Sequence, residues 1–291
     1  MRKLALSDEI LLKVDKAARY IGGEVNSVMK DKNEVEIRFA MCFPDVYEIG
    51  MSNLGMMILY NMFNQREDVW CERLFSPWPD LDKVMREKKI PLFALESQEP
   101  IRDFDFLGIT IGYEMCYTNI LQVLDLSGIP LKSADRGEDF PIVIGGGACA
   151  YNPEPLAPFF DMFYIGEGET VYDALFDAYK ANKKAGGSRK DFLLAAAKIP
   201  GIYVPSLYEV TYKEDGTIAS FAPTADGVPE KVQKQLIIDM EKEYRAVEAP
   251  VVPHIKATQD RVTLEIQRGC IRGCRFCQAG MIYRPTRERD V

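Results

Sequence analysis

Apolar residues occur in short, almost continuous runs that alternate with amphipathic stretches through the first two thirds of the chain. Such runs, bounded by glycine, proline or charged residues, are typical of strands that are buried on both faces. The predicted strands are residues 35–43, 69–74, 91–95, 104–112, 141–144 and 162–165, and the predicted helices are residues 54–65, 79–89, 119–126 and 170–182. Strands that alternate with helices predict an α/β fold with a doubly wound parallel sheet.

Two further predictions concern the start of the chain and one edge of the sheet. Ser7 is placed to cap an N-terminal helix that has Ile10, Val14, Ala17 and Ala18 on one face. Ligands of doubly wound sheets bind beyond the carboxyl ends of the strands. One crevice is therefore expected to be lined by the loops at residues 44–53, 112–118, 145–155 and 166–169.

The pattern changes after a lysine- and glycine-rich stretch at residues 183–188. The sequence beyond it predicts a short helix at residues 191–198, strands at 202–204, 208–212 and 218–221, and a hairpin turn at Asp215-Gly216. Residues 222–260 are rich in proline and charge, which indicates a connector.

A cysteine motif follows a stretch that alternates apolar and polar residues at 262–266, which predicts a strand. The cysteines Cys270, Cys274 and Cys277 have the spacing C-x3-C-x2-C, and glycines at 269 and 273 allow a tight loop. Three thiolates on one loop suit an iron–sulfur cluster or zinc.

A fourth protein ligand is missing near this motif. Structural zinc and the clusters of bacterial ferredoxins normally take four protein ligands. The nearest other cysteine is Cys149, and His254, the one histidine of the sequence, lies in the predicted connector. Three cysteines leave one metal position open for chemistry. The alternatives are a structural metal loop or unligated thiols.

With the strand before it and an aromatic residue at Phe276, this motif resembles the signature of radical S-adenosylmethionine (SAM) enzymes. The resemblance implies that Cys270, Cys274 and Cys277 bind a 4Fe–4S cluster and that Phe276 lies beside the adenine of SAM. It further implies that one electron cleaves SAM to methionine and a 5′-deoxyadenosyl radical. An electron donor such as flavodoxin or ferredoxin is the implied partner.

The charge distribution changes little of this picture. The net charge of −8 argues against broad nucleic-acid binding. Residues 261–291 nevertheless carry seven arginines against three acids, a net charge of +4. That basic tail suits an anionic cluster, the SAM carboxylate or RNA, or else it is a solvated surface, which is the interpretation adopted for Arg284, Arg287 and Arg289.

Cysteine use and hydropathy predict the cellular compartment. Seven scattered cysteines do not form a disulfide framework. The four outside the motif, at positions 42, 71, 116 and 149, lie in apolar surroundings that predict burial. The N-terminus lacks the pattern of a signal peptide, and no apolar run approaches the ~20 residues of a membrane span. A cytoplasmic protein that does not enter the membrane is expected.

A dinucleotide is the usual ligand of such a sheet, but the fingerprint is absent. Residues 145–150 do not follow G-x-G-x-x-G, and residues 166–171 lack the third glycine. Glu167 and Glu169 would also repel a phosphate at the following helix.

Cobalamin-binding domains provide a second resemblance. They carry Asp-x-His-x-x-Gly after the first strand, and here Asp45, Tyr47 and Gly50 occupy those positions, with tyrosine in place of histidine. Thr110 and the run Gly145, Gly146 and Gly147 stand at comparable later places. The resemblance implies that these residues contact cobalamin, without a histidine ligand to cobalt. The alternative is a cobalamin-like fold that binds none.

The chain as a whole resembles bacterial radical SAM proteins with a cobalamin-binding-like N-terminal domain. The expected parts are a helical segment at 1–33, the α/β domain at 34–185, an α+β connector at 186–260, and the first βα unit of a partial TIM barrel at 261–291. A barrel needs repeated βα units, so the chain is expected to be the N-terminal portion of such an enzyme. The expected function is reductive cleavage of SAM, with cobalamin-dependent methyl or group transfer left open. The alternative is a cobalamin-like or partner-binding module whose iron–sulfur tail is vestigial or transfers electrons.

Overall fold

A six-stranded sheet forms the centre of the molecule in the computed structural model, which describes residues 3–243 and 246–290. Its strands lie in the order β2-β1-β3-β4-β5-β6; the first five are parallel, and β6 is antiparallel to β5. The strands are β1 (Ile37–Phe43), β2 (Val69–Phe75), β3 (Phe106–Thr110), β4 (Ile142–Gly146), β5 (Met162–Tyr164) and β6 (Ile202–Tyr203). The predicted α/β class with a parallel sheet is confirmed.

Helices cover both faces of the sheet. They are α1 (Asp8–Leu11), α2 (Tyr47–Gly50), α3 (Leu54–Gln65), α4 (Pro79–Lys88), α5 (Tyr117–Leu126), α6 (Tyr172–Lys184), α7 (Arg189–Ala196) and α8 (Ala279–Ile282). Short 3-10 helices lie at Ala17–Arg19, Ile101–Asp103, Glu114–Cys116, Ser133–Asp135, Ala148–Tyr151, Glu154–Phe159 and Pro205–Leu207.

Alternation along the strands divides the core into two layers. In β1, Phe39 and Met41 pack with residues of α3, α6 and α7, whereas Ala40 and Cys42 pack with residues of α4 and α5. Every residue of β1 is buried, as strands that are covered on both faces require. Among the described residues, no helix combines the length and the apolar character needed to cross a bilayer.

Smaller elements complete the fold beyond the sheet. The predicted hairpin is present as β7 (Tyr208–Tyr212) and β8 (Ile218–Pro223). Near the cysteines, β9 (Gln267–Arg268) pairs with β10 (Arg287–Glu288) in an antiparallel ladder.

Three predicted elements are wrong. The N-terminal helix ends at Leu11, its Ser7 side chain makes no cap, and Lys16 has a left-handed φ of 51°. The chain bends there because Asp15 and Lys16 bind side chains of the sheet domain rather than continuing a helix. Residues 91–95 form no named strand, although residues 92–95 are buried, and Phe93 makes only an isolated bridge. Their apolar run therefore reflects burial and not strand pairing.

The third wrong element is the strand predicted before the cysteines. Val262, Leu264 and Ile266 are 85%, 80% and 71% exposed, and regular pairing begins only at Gln267. An apolar face becomes a stable strand only against a neighbouring strand or layer. In the stretch 262–268, only β9 (Gln267–Arg268) has such a neighbour among the described residues, namely β10.

The core does not end at residue 185, where the α/β domain was predicted to end. Strand β6 extends the sheet, α7 contributes Phe192 to one core layer, and Val251 and Ala257 of the connector pack into that layer too. The four-part division of the chain stays a prediction.

Candidate functional site

The carboxyl ends of the parallel strands surround a cavity of about 580 Å³. The order of the strands reverses between β1 and β3, and residues of both strands line the cavity, as expected for a doubly wound sheet. Residues after β4 and β5 complete this side. The opposite side is formed by Glu265, Gln267, Arg268 and Gly269, which immediately precede the first motif cysteine.

The cobalamin-type residues are divided between this cavity and the core. Thr110, Gly146 and Gly147 line the cavity. A Cβ on Gly146 would meet nothing within 4 Å, so this position is open. Gly147 has φ +99°, and a Cβ there would lie 2.9 Å from the Ile111 carbonyl oxygen, so close backbone approach requires glycine.

Gly50 and Gly145 are small for reasons of packing. A Cβ on Gly50 would lie 2.2 Å from the Phe75 ring, and one on Gly145 would lie 2.8 Å from both Ile111 and Phe163. Neither residue lines the large cavity. The sequence pattern therefore does not identify them as ligand contacts.

Tyr47 points into the protein interior. Its hydroxyl donates to Glu24 Oε1 at 3.0 Å and accepts from the His254 backbone N–H at 3.2 Å. Burial, together with the charge of Glu24, raises the pKa of Tyr47 well above its usual range. Tyr47 does not line the cavity, and a buried neutral phenol is no ready cobalt ligand.

Asp45 also has a protein partner. Its Oδ2 accepts from the Tyr113 hydroxyl at 2.6 Å and its Oδ1 from the Val46 N–H at 2.7 Å. The hydrogen bond to Asp45 is the main cause that raises the pKa of Tyr113 to about 12. Of the residues predicted to contact cobalamin, only Thr110, Gly146 and Gly147 face the cavity, and none of these three is a cobalt ligand.

The seven cysteines fall into two groups. Cys42, Cys71, Cys116 and Cys149 are buried, and burial raises the pKa of each thiol. The motif cysteines Cys270 and Cys274 are exposed, and Cys277 is half-buried. Only the second group is accessible to a metal from solution.

The loop around the motif cysteines already directs backbone donors at two sulfurs. The Arg272 N–H lies 3.4 Å from Cys270 Sγ, and the Gly280 N–H lies 3.4 Å from Cys277 Sγ. Hydrogen bonds to the sulfurs are one way in which proteins tune iron–sulfur clusters. The donor set and its surroundings fit an iron–sulfur cluster in their chemistry.

The three thiols are not gathered at one point. Across residues 3–243 and 246–290, no three cysteine, histidine or carboxylate side chains form a group that could hold a metal ion. Phe276 is 88% exposed and does not line the cavity. The ligand role of the cysteines and the adenine contact of Phe276 stay predictions.

A buried ion-pair cluster joins the two sides of the cavity, and sequence reasoning missed it. Arg268 Nη2 contacts Glu169 Oε1 at 2.5 Å, and Arg287 donates to both oxygens of Glu167 at 2.7 Å. Burial by itself raises the pKa of Glu167, but hydrogen bonds from Arg287 and the Ile237 N–H, with the charge of Arg268, outweigh it and leave the pKa lowered.

This cluster corrects one interpretation of the basic tail. Arg287, which was expected on a solvated surface, is only 8% exposed, whereas Arg284 and Arg289 are exposed as expected. Glu167 and Arg287 are 120 positions apart, and no spacing pattern in the sequence reveals that such distant residues are paired. The sequence signal for this cluster was residue type alone: two acids lie in one loop, and arginines lie on both sides of the cysteines.

Comparison with known protein families identifies the family of this chain. The family described as radical SAM proteins, N-terminal, matches residues 55–205, half of the chain. The chain belongs to this family. The matched residues do not include the cysteine motif, so the radical SAM assignment and the motif are independent observations.

Two individual proteins are also similar to this chain. The uncharacterised protein MJ0966 of Methanocaldococcus jannaschii is 26% identical over 253 residues, which cover 87% of this chain and 43% of that protein. The structure of the radical SAM methyltransferase TsrM from Kitasatospora setae, with tryptophan substrate and the SAM analogue aza-SAM bound, is similar at a TM-score of 0.41 and 15% identity. The similar region covers 87% of this chain and 43% of the TsrM chain. This chain thus spans less than half the length of either protein.

Proposed function

We propose that this chain is the N-terminal portion of a radical SAM enzyme and that Cys270, Cys274 and Cys277 hold its 4Fe–4S cluster. One observation carries the proposal. The three motif thiols lie at the surface or half-buried in one loop next to the cavity, while the other four thiols are buried. Family membership, which comes from a different part of the chain, supports the same chemistry.

The residues of the chain have distinct tasks in this proposal. Three cysteines anchor three metal positions and leave one for SAM, while the N–H groups of Arg272 and Gly280 donate to two of the sulfurs. Phe276, exposed on the same loop, is available to stack on the adenine. When bound, such a cluster supplies one electron to SAM, which splits into methionine and a 5′-deoxyadenosyl radical. A low-potential donor such as flavodoxin or ferredoxin in a reducing cytoplasm is the proposed electron source.

Cobalamin has weaker support than the cluster. The cavity offers it Thr110, Gly146 and Gly147, but Tyr47 is turned into the interior, and no described cavity residue is a histidine. The residues present therefore do not fit a cobalamin that needs a ligand from the protein.

Anaerobic reconstitution with ferrous iron and sulfide tests the proposal. Wild-type chain is expected to bind one 4Fe–4S cluster, whose electron paramagnetic resonance after reduction changes when SAM is added. Cys270→Ala, Cys274→Ala and Cys277→Ala should each lose the cluster, because two thiolates cannot anchor it. Cys149→Ala and Cys71→Ala are matched controls and should retain it.

The same measurement separates the rival functions. A cluster that forms but does not respond to SAM would favour an electron-transfer tail on a binding module. Wild-type iron content in all three motif variants would refute the assignment of the ligands.

A further inference from the structure

The loop after β5 places two carboxylates against the cysteine segment, defined here as residues 265–289. Glu167 accepts both bonds of a bidentate Arg287 at 2.7 Å and lies 3.2 Å from Arg268 Nη1. Glu169 contacts Arg268 at 2.5 Å, and Glu265 of the segment also binds Arg268 at 2.8 Å. Bidentate arginine–carboxylate pairs fix direction as well as distance.

The two arginines stand at the base of the cysteine loop. Arg268 and Arg287 are direct partners in the antiparallel register of β9 and β10, and all three motif cysteines lie between them in the sequence. The carboxylates therefore hold both ends of the loop at once. Gly269, which follows Arg268, has φ +85° and lies against the carbonyls of Tyr283 and Pro285.

The connector adds a second set of bonds at the same base. The Ile237 N–H donates to Glu167 Oε2 at 3.0 Å, and Arg287 Nη1 donates to the Ile237 carbonyl at 2.6 Å. Lys234 Nζ donates to the carbonyls of Ile282 and Arg284 at 2.6 and 2.7 Å. Sheet loop, connector and cysteine segment thus meet at Glu167.

The charges in this cluster are almost wholly removed from water. The side chains of Glu167, Glu169, Arg268 and Arg287 are all at most 10% exposed. A buried pair that loses one partner leaves an uncompensated charge, which is strongly unfavourable. Neutralising either acid should therefore release the base of the loop, because its arginine partners lose the negative charge that compensates them.

We propose that Glu167 and Glu169 are positioning residues that hold the cysteine loop on the carboxyl edge of the sheet, beside the cavity. The effect of this anchoring on the cluster rests on the proposed function, whereas the anchoring of the loop does not. Neither acid touches the cysteines directly; Glu167 acts through Arg268 and Arg287, and Glu169 acts through Arg268.

The same strand supplies a matched control. Asp161 directly precedes β5, at the opposite end from Glu167, and it too binds two arginines, Arg136 at 3.0 Å and Arg189 at 2.7 Å. Its side chain is also buried, at 2% exposed, but its partners all belong to the sheet domain and α7. Asp161→Asn therefore reproduces the loss of a buried carboxylate with two arginine partners without touching the cysteine segment.

Hydrogen–deuterium exchange of the metal-free 291-residue chain tests the anchoring. Glu167→Gln should speed exchange in residues 265–289 at least tenfold and leave β1 and β3 at wild-type rates. Asp161→Asn should leave residues 265–289 unchanged. Glu169→Gln, which loses only the Arg268 contact, serves if Glu167→Gln fails to fold, and it should give a smaller increase in the same residues.

Release of iron to a chelator tests the consequence for the cluster. Reconstituted Glu167→Gln should lose iron at least fivefold faster than wild type, and Asp161→Asn should match wild type. Unchanged exchange in residues 265–289 of both glutamate variants would overturn the anchoring, and unchanged iron release would overturn its role for the cluster. A wild-type chain that takes up no cluster would instead refute the proposed function, while the exchange result would still decide on the anchoring.

Discussion

Two glycines of the cysteine motif have different physical roles. Gly269 has φ +85°, and a Cβ there would lie 2.6 Å from the Tyr283 carbonyl oxygen and 2.7 Å from that of Pro285. Gly273 has no positive φ, and a Cβ at that position would meet no atom within 4 Å. The first glycine is required by the close approach of the two sides of the loop, whereas the second lies in open space.

Gly269→Ala is therefore expected to displace the cysteine loop. The left-handed conformation alone costs about 1–2 kcal/mol for alanine, and the contacts with backbone oxygens add to it. Reconstituted Gly269→Ala should hold less iron than wild type, and Gly273→Ala should equal wild type. Equal iron content in the two variants would contradict this account of Gly269.

The carboxylate of Glu48, which binds Arg19 and Lys16 of the N-terminal segment, leads to a prediction about the pH dependence of stability. Burial by itself raises the pKa of Glu48, but hydrogen bonds from Arg19 and Lys16 outweigh it and hold the pKa at about 2. A lowered pKa in the folded state stabilises the protein above the unfolded pKa of about 4.3, and the contribution is lost as the pH falls towards 2.

The free energy of unfolding should thus fall between about pH 5 and pH 2, with Glu48 responsible for on the order of 2 kcal/mol of the change. Denaturant titrations at several pH values measure this. Glu48→Gln should be less stable than wild type at pH 6 and should show a shallower loss on acidification. Parallel curves for the two proteins would show that the Arg19 contact is absent in solution.

At the scale of single residues, the sequence predicted which side chains are chemically suited to a site better than it predicted where each side chain lies. It identified three available thiols because residue type and spacing carry that information. It did not identify the orientation of Tyr47 or the burial of Arg287, because both depend on partners far away in the chain, Glu24 and Glu167. Spacing along a chain says nothing about such pairs.

At the scale of elements, hydrophobic periodicity located the central strands and helices well. Helix α3 begins and ends where predicted, and its Asn53 side chain caps it by accepting from the Met56 N–H. Periodicity failed where tertiary contacts decide, as in residues 91–95, where the apolar side chains of residues 92–95 are buried without a regular strand. It also failed at residues 262–266, which alternate correctly but lack a neighbouring strand among the described residues.

The extent of the core gives a test of the predicted boundary after residue 185. Residues 186–260 contribute β6, Phe192 of α7, and Val251 to the sheet and its core. Each large apolar side chain that is buried contributes about 1.5–3 kcal/mol, and small domains are stable by only about 5–15 kcal/mol in total.

A fragment of residues 1–260 is therefore expected to unfold cooperatively in urea, at a clearly higher midpoint than residues 1–185. Circular dichroism and tryptophan fluorescence would measure both transitions, and Trp70 and Trp78 are present in both fragments. Identical midpoints would show that the domain ends at residue 185 after all.

At the scale of the whole molecule, the cavity joins the sheet to the cysteine segment. Thr110 and Gly146 face it from the sheet, and Arg268 and Gly269 face it from the segment. A molecule bound there would touch both parts, one residue from the first motif cysteine. The arrangement follows from two features, the reversal of strand order between β1 and β3 and the ion pairs to the loop after β5.

Neighbouring glycines of β4 distinguish the cavity from the core behind it. A Cβ on Gly145 would lie 2.8 Å from both Ile111 and Phe163, whereas one on Gly146 would enter open space. Gly145→Ala should lower the free energy of unfolding by about 1–3 kcal/mol through overpacking. Gly146→Ala should change it by no more than about 0.5 kcal/mol, as expected where no contact is altered. Thermal unfolding of the two variants measures the difference.

Gly146→Val then asks what the cavity binds, because it fills space without disturbing the core. Wild-type and variant chains are incubated with cobalamin, desalted, and compared by the absorbance that each retains. A cobalamin that occupies the cavity should be retained by wild type and lost by Gly146→Val, with the melting temperature unchanged. Equal retention would place the cobalamin elsewhere. No retention by wild type would favour a cobalamin-like sheet that binds no cobalamin, which agrees with Tyr47 lying against Glu24 in the interior instead of facing a ligand.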